Sequence, residues 1–370
     1  MRGLICHLTT VHLPDDVRIY QKEARSLAEA GYDVTLVAPA LKEVVLEGVR
    51  WHRLPRSRGR IERFLRLAPA AYRAALATGA EVVHLHDPEL LFVGLALKLR
   101  GRKVVWDAHE DLPRQILSKP WIPRFLRRPL AWGTDVLERT ITRMFDAVVA
   151  ATPAIARRFP HDRVHTVQNY PIPKHLIASH PAPYRERPPH VVYIGGISAI
   201  RGAREMVKAM EIAGERWGAR LLLAGQFESD ALEKELRGMP AWRYVDYKGW
   251  LSREEVAELL GQVRAGLVPF HPEPNHINAR PNKIFEYMAA ELPVIASDFP
   301  LWQELVAASG AGLLVDPLDP EAIAGAIGQV LERPGDAEAM GRRGREAVRE
   351  RYNWDREKEK LLALYEELLS

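Results

Sequence analysis

Lys283 and Glu286 stand three residues apart in the stretch Asn275–Glu304, NHINARPNKIFEYMAAELPVIASDFPLWQE. On a helix that spacing puts an ammonium and a carboxylate on one face. Pro281 is expected to open the helix, because proline has no N–H to lose in the first turn. If the helix starts one residue later, Asn282 is its cap. Either way Lys283 lies in the first turn, where the helix dipole disfavours a cation unless an anion shares the site. Free N–H groups at a helix start favour such an anion. The apolar strand PVIAS follows, then a turn at Asp298–Pro300 and a helix holding Glu304. This pattern fits a nucleoside diphosphate lying across the helix start, with Ile284 beside the binding lysine. An amphipathic helix with a Lys–Glu pair accounts for the same residues.

PNKIFEYMAAELPVIASD resembles the second-domain signature of the family 4 glycosyltransferases, whose fold is GT-B. That family carries two glutamates eight positions apart, ahead of a small-residue helix and a PVIAS-type strand. Glu286 occupies the second position, and Asn278 stands where the first glutamate would be. The resemblance implies that Glu286 meets the ribose of the donor and that position 278 faces the donor sugar. It implies a hexosyltransferase that retains anomeric configuration. The donor would be a nucleoside-diphosphate sugar and the acceptor a glycan, lipid-linked or small molecule, as in cell-envelope or polysaccharide assembly. Two other readings keep the donor and change the chemistry: a nucleotide-sugar epimerase of GT-B fold, and a catalytically silent nucleotide-sugar-binding subunit, which the asparagine at 278 would suit.

HVVYIGGISAIRGAREMV sets Gly195 and Gly196 directly after a strand, with Arg201 and Gly202 before a helix. Glycines admit a ligand close to the backbone, and arginine grips phosphate bidentately. The family pattern here is Gly-Arg-Leu followed by Lys-Gly; Gly196 replaces the arginine and Arg201 the lysine. Arg201 and Lys283 would then supply the charge against the diphosphate, so that no metal or further cofactor is required.

In the first half, ligands should gather beyond the carboxyl ends of parallel strands. His109 sits there in VVWDAHEDLP, followed by Glu110 and Asp111. The resemblance gives it the donor-sugar pocket and a catalytic part. His86 and Asp87, in VVHLHDPEL, are placed on the acceptor side. His84 and His86 are expected to face opposite sides of their strand, and therefore not to chelate one metal. The opening stretch TTVHLPDDVRIYQ lacks the glycine pair common in the family and resembles a subgroup with a His…Asp-x-Arg loop, here His12, Asp16 and Arg18. Asp16 suits a helix N-cap; Arg18 is expected to face the cleft and meet an acceptor or the diphosphate.

The whole chain has 370 residues, 47% hydrophobic and 27% charged, enough for two globular domains. No apolar run reaches the roughly 18 residues of a membrane span. The start reads as a first strand and not a signal peptide, so the cytoplasm is the expected compartment. The one cysteine, Cys6, excludes an internal disulfide and reads as a buried thiol. Between Arg50 and Pro129 there are 17 Lys and Arg against 7 Asp and Glu, in a chain whose net charge is only +4. Such a face attracts anionic lipid or phosphorylated acceptors. The segment PWIPRFLRRPLAWGTDVLERT mixes Trp121, Ile122, Phe125, Leu126 and Trp132 with Arg124, Arg127 and Arg128. That composition suits a peripheral membrane contact, or a helix that buries its aromatics. Nucleic-acid binding lacks any recognisable motif.

These residues need elements to hold them. Apolar strands alternate with helices through both halves, the pattern of parallel sheets with right-handed crossovers. The expected fold is α/β: two doubly wound, Rossmann-like domains with a cleft between them. The first strand is not followed by Gly-x-Gly-x-x-Gly, which disfavours NAD. The expected boundaries are an acceptor domain over 1–170, a proline-rich linker over 171–189, a nucleotide-sugar domain over 190–350, and a final amphipathic helix over 351–370. From the resemblance, that last helix packs back on the first domain.

Overall fold

The computed structural model describes residues 2–40, 45–57, 59, 62–119, 122–159 and 162–370. It forms two compact units, Met1–Asn169 with Trp354–Ser370, and Tyr170–Asn353.

The first unit is built on seven strands: β1 (Leu4–Leu8), β2 (Asp33–Pro39), β3 (Arg50–Leu54), β4 (Val82–Leu85), β5 (Lys103–Ala108), β6 (Ala147–Ala150) and β7 (Val164–Thr166). All pair in parallel, in the order β3-β2-β1-β4-β5-β6-β7. The central strands are buried on both faces, which is why they read as unbroken apolar runs and not as alternating ones. The order reverses between β1 and β4, the point where an open α/β sheet opens a crevice at its carboxyl edge. Across that point His7 pairs with His84.

The second unit repeats the plan with β8 (His190–Ile194), β9 (Arg220–Ala224), β10 (Val245–Gly249), β11 (Ala265–Val268), β12 (Val294–Ser297) and β13 (Gly312–Val315). The order β10-β9-β8-β11-β12-β13 is again all parallel and reverses between β8 and β11. Its helices start where the sequence puts caps. Ser229 Oγ accepts from Leu232 N at 3.2 Å, and Ser252 with Glu255 forms a reciprocal capping box. Gly202 starts the Ala203–Trp217 helix at φ 77°, with a Cβ position 2.1 Å from the Pro269 carbonyl oxygen. Only glycine fits there, on both conformational and steric grounds.

Residues 171–189 are expected as a linker, and the structure groups them with one of the two units. They belong to the second unit, where Tyr170, Leu176 and Tyr184 are buried in its core and Tyr184 Oη donates to the Arg264 carbonyl at 2.7 Å. Two 3-10 turns, Pro173–Leu176 and Tyr184–Glu186, lie within the stretch. The last helix, Trp354–Leu369, is part of the first unit. There Trp354 Nε1 donates to Ser26 Oγ at 2.9 Å, and Glu357 accepts from the Gln168 backbone N–H at 2.8 Å. Cys6 is fully buried in β1, and burial pushes its thiol up to about 12.

Candidate active site

In the second unit the carboxyl end of β8 meets the start of the Asn282–Ala289 helix. Gly195 adopts φ 129°, and a Cβ built on it would lie 2.4 Å from Lys283 Nζ. The lysine head therefore occupies the space a side chain would take. Arg201 Nη1 donates to the Gly196 carbonyl at 3.2 Å and its guanidinium lies over the Phe270 ring. Two cations thus converge on one glycine turn at the β8–β11 reversal. Desolvation draws the Lys283 ammonium down to about 8, opposed by Glu286 and reinforced by Arg201. An anion between these cations would relieve both the burial and the repulsion.

Pro281 does not lie inside the helix as expected; it takes the cap position, and Asn282 is the first helical residue. No side-chain hydrogen bond caps this start, and an uncapped helix start is suited to an anion. Glu286 lies one turn further, half-buried. Asn278 is exposed at the end of the short Pro274–Ile277 helix. The side chain of Ile284 is fully buried in the core of the unit, so only its backbone is open to a ligand.

In the first unit a second constellation surrounds the carboxyl ends of β4 and β5. Asp107 is its centre. Arg18 holds it bidentately, Nε to Oδ2 at 2.9 Å and Nη2 to Oδ1 at 2.7 Å, and also donates to the Val167 carbonyl at 3.1 Å. His86 Nδ1 lies 3.0 Å and His109 Nδ1 3.2 Å from Asp107 Oδ2. Burial works to raise the Asp107 carboxyl, but the Arg18 guanidinium prevails and holds it well below the usual range. His109 is raised despite burial, because Asp107 favours its charged form. Arg18 therefore does not face a cleft, as the sequence suggested; it is buried with its donors turned inward, a positioning residue for Asp107. Asp16 is the N-cap of the Val17–Ala24 helix, accepting from Arg18 N at 2.8 Å and Ile19 N at 2.9 Å. Asp87 is buried too, its Oδ2 accepting from Thr9 Oγ1 at 2.7 Å and Thr10 N at 2.6 Å.

His84 and His86 overturn the expectation that they face apart. Residues two apart on a strand share a face, and their rings stack with centroids 4.7 Å apart.

A cavity of about 500 Å³ opens beside His86, Asp87 and His109. Trp106, Leu112, Ile116, Ile122 and Leu130 supply an apolar wall; Glu110, Gln115 and Glu138 add polar groups. The sequence reading passed over Asp107 and Glu138. Asp107 had a signal, a carboxylate inside the apolar strand KVVWDA. Glu138 had none short of knowing that Trp106 Nε1, at 3.1 Å, and Arg158 would reach it.

His12 borders the same cavity, with Nδ1 3.2 Å from Asp16 Oδ2 and Nε2 3.6 Å from Asp87 Oδ1. Burial opposes its charge, but the Asp16 hydrogen bond and the Asp87, Asp16 and Glu110 carboxylates raise it to about 9 from 6.5. A base raised on folding stabilises fully below its unfolded pKa and loses that contribution as pH rises through the folded one. The melting temperature should therefore decline between about pH 6.5 and 9, by the equivalent of about 1–3 kcal/mol. In His12→Gln the decline over that window should be shallower, as thermal melts across the range will read.

Two family models match this architecture. Residues 18–173 match a glycosyl transferase 4-like domain, and residues 188–333 match the glycosyl transferases group 1. The chain belongs to the GT-B glycosyltransferases. A glycosyltransferase of Methanocaldococcus jannaschii is 26% identical over 166 residues, covering 45% of this chain and 41% of that protein. The match thus spans less than half the length of this relative. Among solved structures, the sucrose-phosphate synthase of Thermosynechococcus elongatus superposes with a TM-score of 0.77 at 21% identity over 99% of both chains. The Anabaena HepE protein, solved in complex with UDP-glucose, gives 0.74 at 13% identity over 99% of this chain and 100% of its own. At such identities the likeness speaks for the GT-B fold. In this glycosyltransferase the second sheet carries the two-cation turn and the first carries the Asp107 constellation. Among the described residues no helix is long and apolar enough to cross a membrane.

Proposed function

We propose that this chain is a retaining hexosyltransferase that takes its sugar from a nucleoside diphosphate, UDP first among the candidates, and delivers it to an acceptor with an apolar portion. The observation that carries the reading is Lys283 Nζ against Gly195, beside Arg201, at an uncapped helix start on the β8–β11 reversal. Diphosphate is the group that this arrangement suits. Negative charge grows on it as the glycosidic bond breaks, so fixed cations there lower the barrier as well as binding the donor. Glu286, one helical turn on, would accept from the ribose hydroxyls. Structural relatives solved with UDP and UDP-glucose support the choice of base. The apolar wall of the first-unit cavity favours an acceptor with a lipid or aryl part over a bare glycan.

Thermal shift against UDP, GDP, ADP, CMP and NAD tests the donor site. A ligand at 100 times its dissociation constant stabilises by about 2.7 kcal/mol, a shift of several degrees in the midpoint. One nucleoside diphosphate should stand out, and Glu286→Ala should remove most of its shift. A response to NAD alone, or to none of the five, would overturn the donor assignment.

The acceptor side is proposed to work at an anionic membrane surface. On the Arg124–Thr142 helix Phe125 and Trp132 are 77% and 71% exposed, and Arg124 and Arg128 are exposed beside them; Trp121 lies outside the described residues. A helix that buried its aromatics would not leave these in water. Co-sedimentation with anionic vesicles should occur at low salt and fall as salt screens the arginines. Phe125→Ser with Trp132→Ser should weaken it at any salt; no binding at low salt would refute the contact.

A further inference from the structure

Beneath the cavity, the first unit holds a buried set of polar side chains, of which His86 also borders the cavity and contacts Asp107. His7 lies on β1, His84 and His86 on and just beyond β4, and Glu23 on the Val17–Ala24 helix. All four are buried. One ligand atom from each can be chosen so that all lie within 4.8 Å of one another. His7 Nδ1 is 2.9 Å from His86 Nε2, and Glu23 Oε2 is 3.9 Å from both His7 Nδ1 and His84 Nδ1. The register makes this convergence inevitable: His7 sits directly opposite His84 across the strand pair, and His86 is two residues on, on the same face.

We propose that His7, Glu23, His84 and His86 form a structural site for a divalent first-row transition metal, Zn2+ being the fitting one. Three observations carry it. The first is orphaned polarity. Glu23 Oε2, the oxygen 3.9 Å from His7 Nδ1 and His84 Nδ1, is buried with no hydrogen-bond partner among the described residues, as are the outer ring atoms His7 Nε2 and His84 Nε2; His84 Nδ1 also lies 2.9 Å from Tyr365 Oη. Buried polar atoms are almost always satisfied, and a carboxylate left so is costly. The second is charge. Arg18 is shared between Asp107 and Glu23, its Nε standing 3.1 Å from Glu23 Oε1, which sets one guanidinium against two buried carboxylates. A cation beside Glu23 restores the balance. The third is the outer layer. Asp107 can only accept, so it fixes the proton of His86 on Nδ1 and turns the lone pair of Nε2 toward the cluster. A carboxylate behind a ligating imidazole is the usual support of a zinc histidine.

Three imidazoles and a carboxylate are a donor set that Zn2+ accepts. Tetrahedral zinc with bonds of about 2.0–2.1 Å holds its ligand atoms about 3.4 Å apart, so small ring and carboxylate rotations close the set around an ion. The ion would tie β1 and β4 to the Val17–Ala24 helix, the helix whose Arg18 positions Asp107. Its role is therefore to brace the constellation, and it does not touch the sugar.

The test uses the full chain, purified from cells supplied with Zn2+ and freed of loose metal by gel filtration. Elemental analysis should find close to one zinc per chain. Chelation should lower the melting midpoint by several degrees, and Zn2+ should restore it. Co2+ added to the stripped protein should give the strong visible absorption of a tetrahedral site. Glu23→Gln and His84→Gln should each weaken Zn2+ binding by at least about tenfold. If a variant fails to fold, the wild-type cobalt spectrum decides alone. A folded wild type with no zinc, no cobalt band and no response to chelator would overturn the proposal and leave Glu23 balanced by a proton. Metal bound equally well by both variants would overturn it as well.

Discussion

Replacing Lys283 by alanine should lower the rate of nucleoside-diphosphate release from the donor by about 10²–10³-fold, the usual consequence of removing one preorganised charge from a developing anion. The expectation rests on position. The ammonium fills the place of the missing Gly195 side chain, and Arg201, held on the Gly196 carbonyl, does not occupy that place. The same lysine sets a pH dependence. Desolvation draws its pKa down to about 8 from 10.5. Below about pH 8 it is charged and diphosphate affinity should be level. Above that, binding must first return a proton to the lysine, and affinity should fall by up to about tenfold per pH unit. In the free protein the sign is opposite to that of His12. The unfolded chain holds the proton more tightly, so between about pH 8 and 10.5 this lysine makes stability rise with pH. Titration of UDP across this range, in wild type and Lys283→Ala, reads both effects; a wild type whose affinity does not change above pH 8 would remove the lysine from the site.

Arg18→Met should destabilise the first unit by about 3–5 kcal/mol, because it leaves Asp107 and Glu23 buried without their shared cation. Urea denaturation followed by a first-unit signal will measure it. The origin of the loss is uncompensated charge and not lost volume, so adding Asp107→Asn to Arg18→Met should recover part of the stability. A double variant as unstable as the sum of the two single ones would show that the residues act independently.

These two residues also mark how far the sequence could be read. The fold was legible because it rests on local patterns. Apolar runs of strand length alternate with helices, and serine caps fall at Ser229 and Ser252, where helices begin. The convergence of Lys283 and Arg201 on the glycine pair was legible for a similar reason: each lies at a helix start or a strand end. The side-chain partner was harder. Arg18 follows a cap in an exposed-looking loop, and only the tertiary pairing with Asp107 explains why it is buried. The expectation for His84 and His86 fails on the period of a strand itself, since a separation of two restores the face. Once His84 and His86 share a side, the strand pairing brings His7 to them as well. Ile284 shows the limit from the other direction. It sits between the binding lysine and Phe285, yet helix geometry turns it into the core. The prolines of 171–189 read as a linker, whereas Tyr170, Leu176 and Tyr184 pack into the second unit.

The measurement that bears most directly on the proposed function is sugar transfer itself. Wild-type protein is given the nucleoside-diphosphate sugars of the base that binds best, with and without an amphiphilic sugar acceptor, and release of the diphosphate is followed beside the glycosylated product. Release that is slow in water, accelerated by the acceptor, matched by product of retained configuration and abolished in Lys283→Ala is the predicted result. Tight binding of the nucleotide with no product from any acceptor, or turnover that survives the loss of Lys283 unchanged, would contradict it.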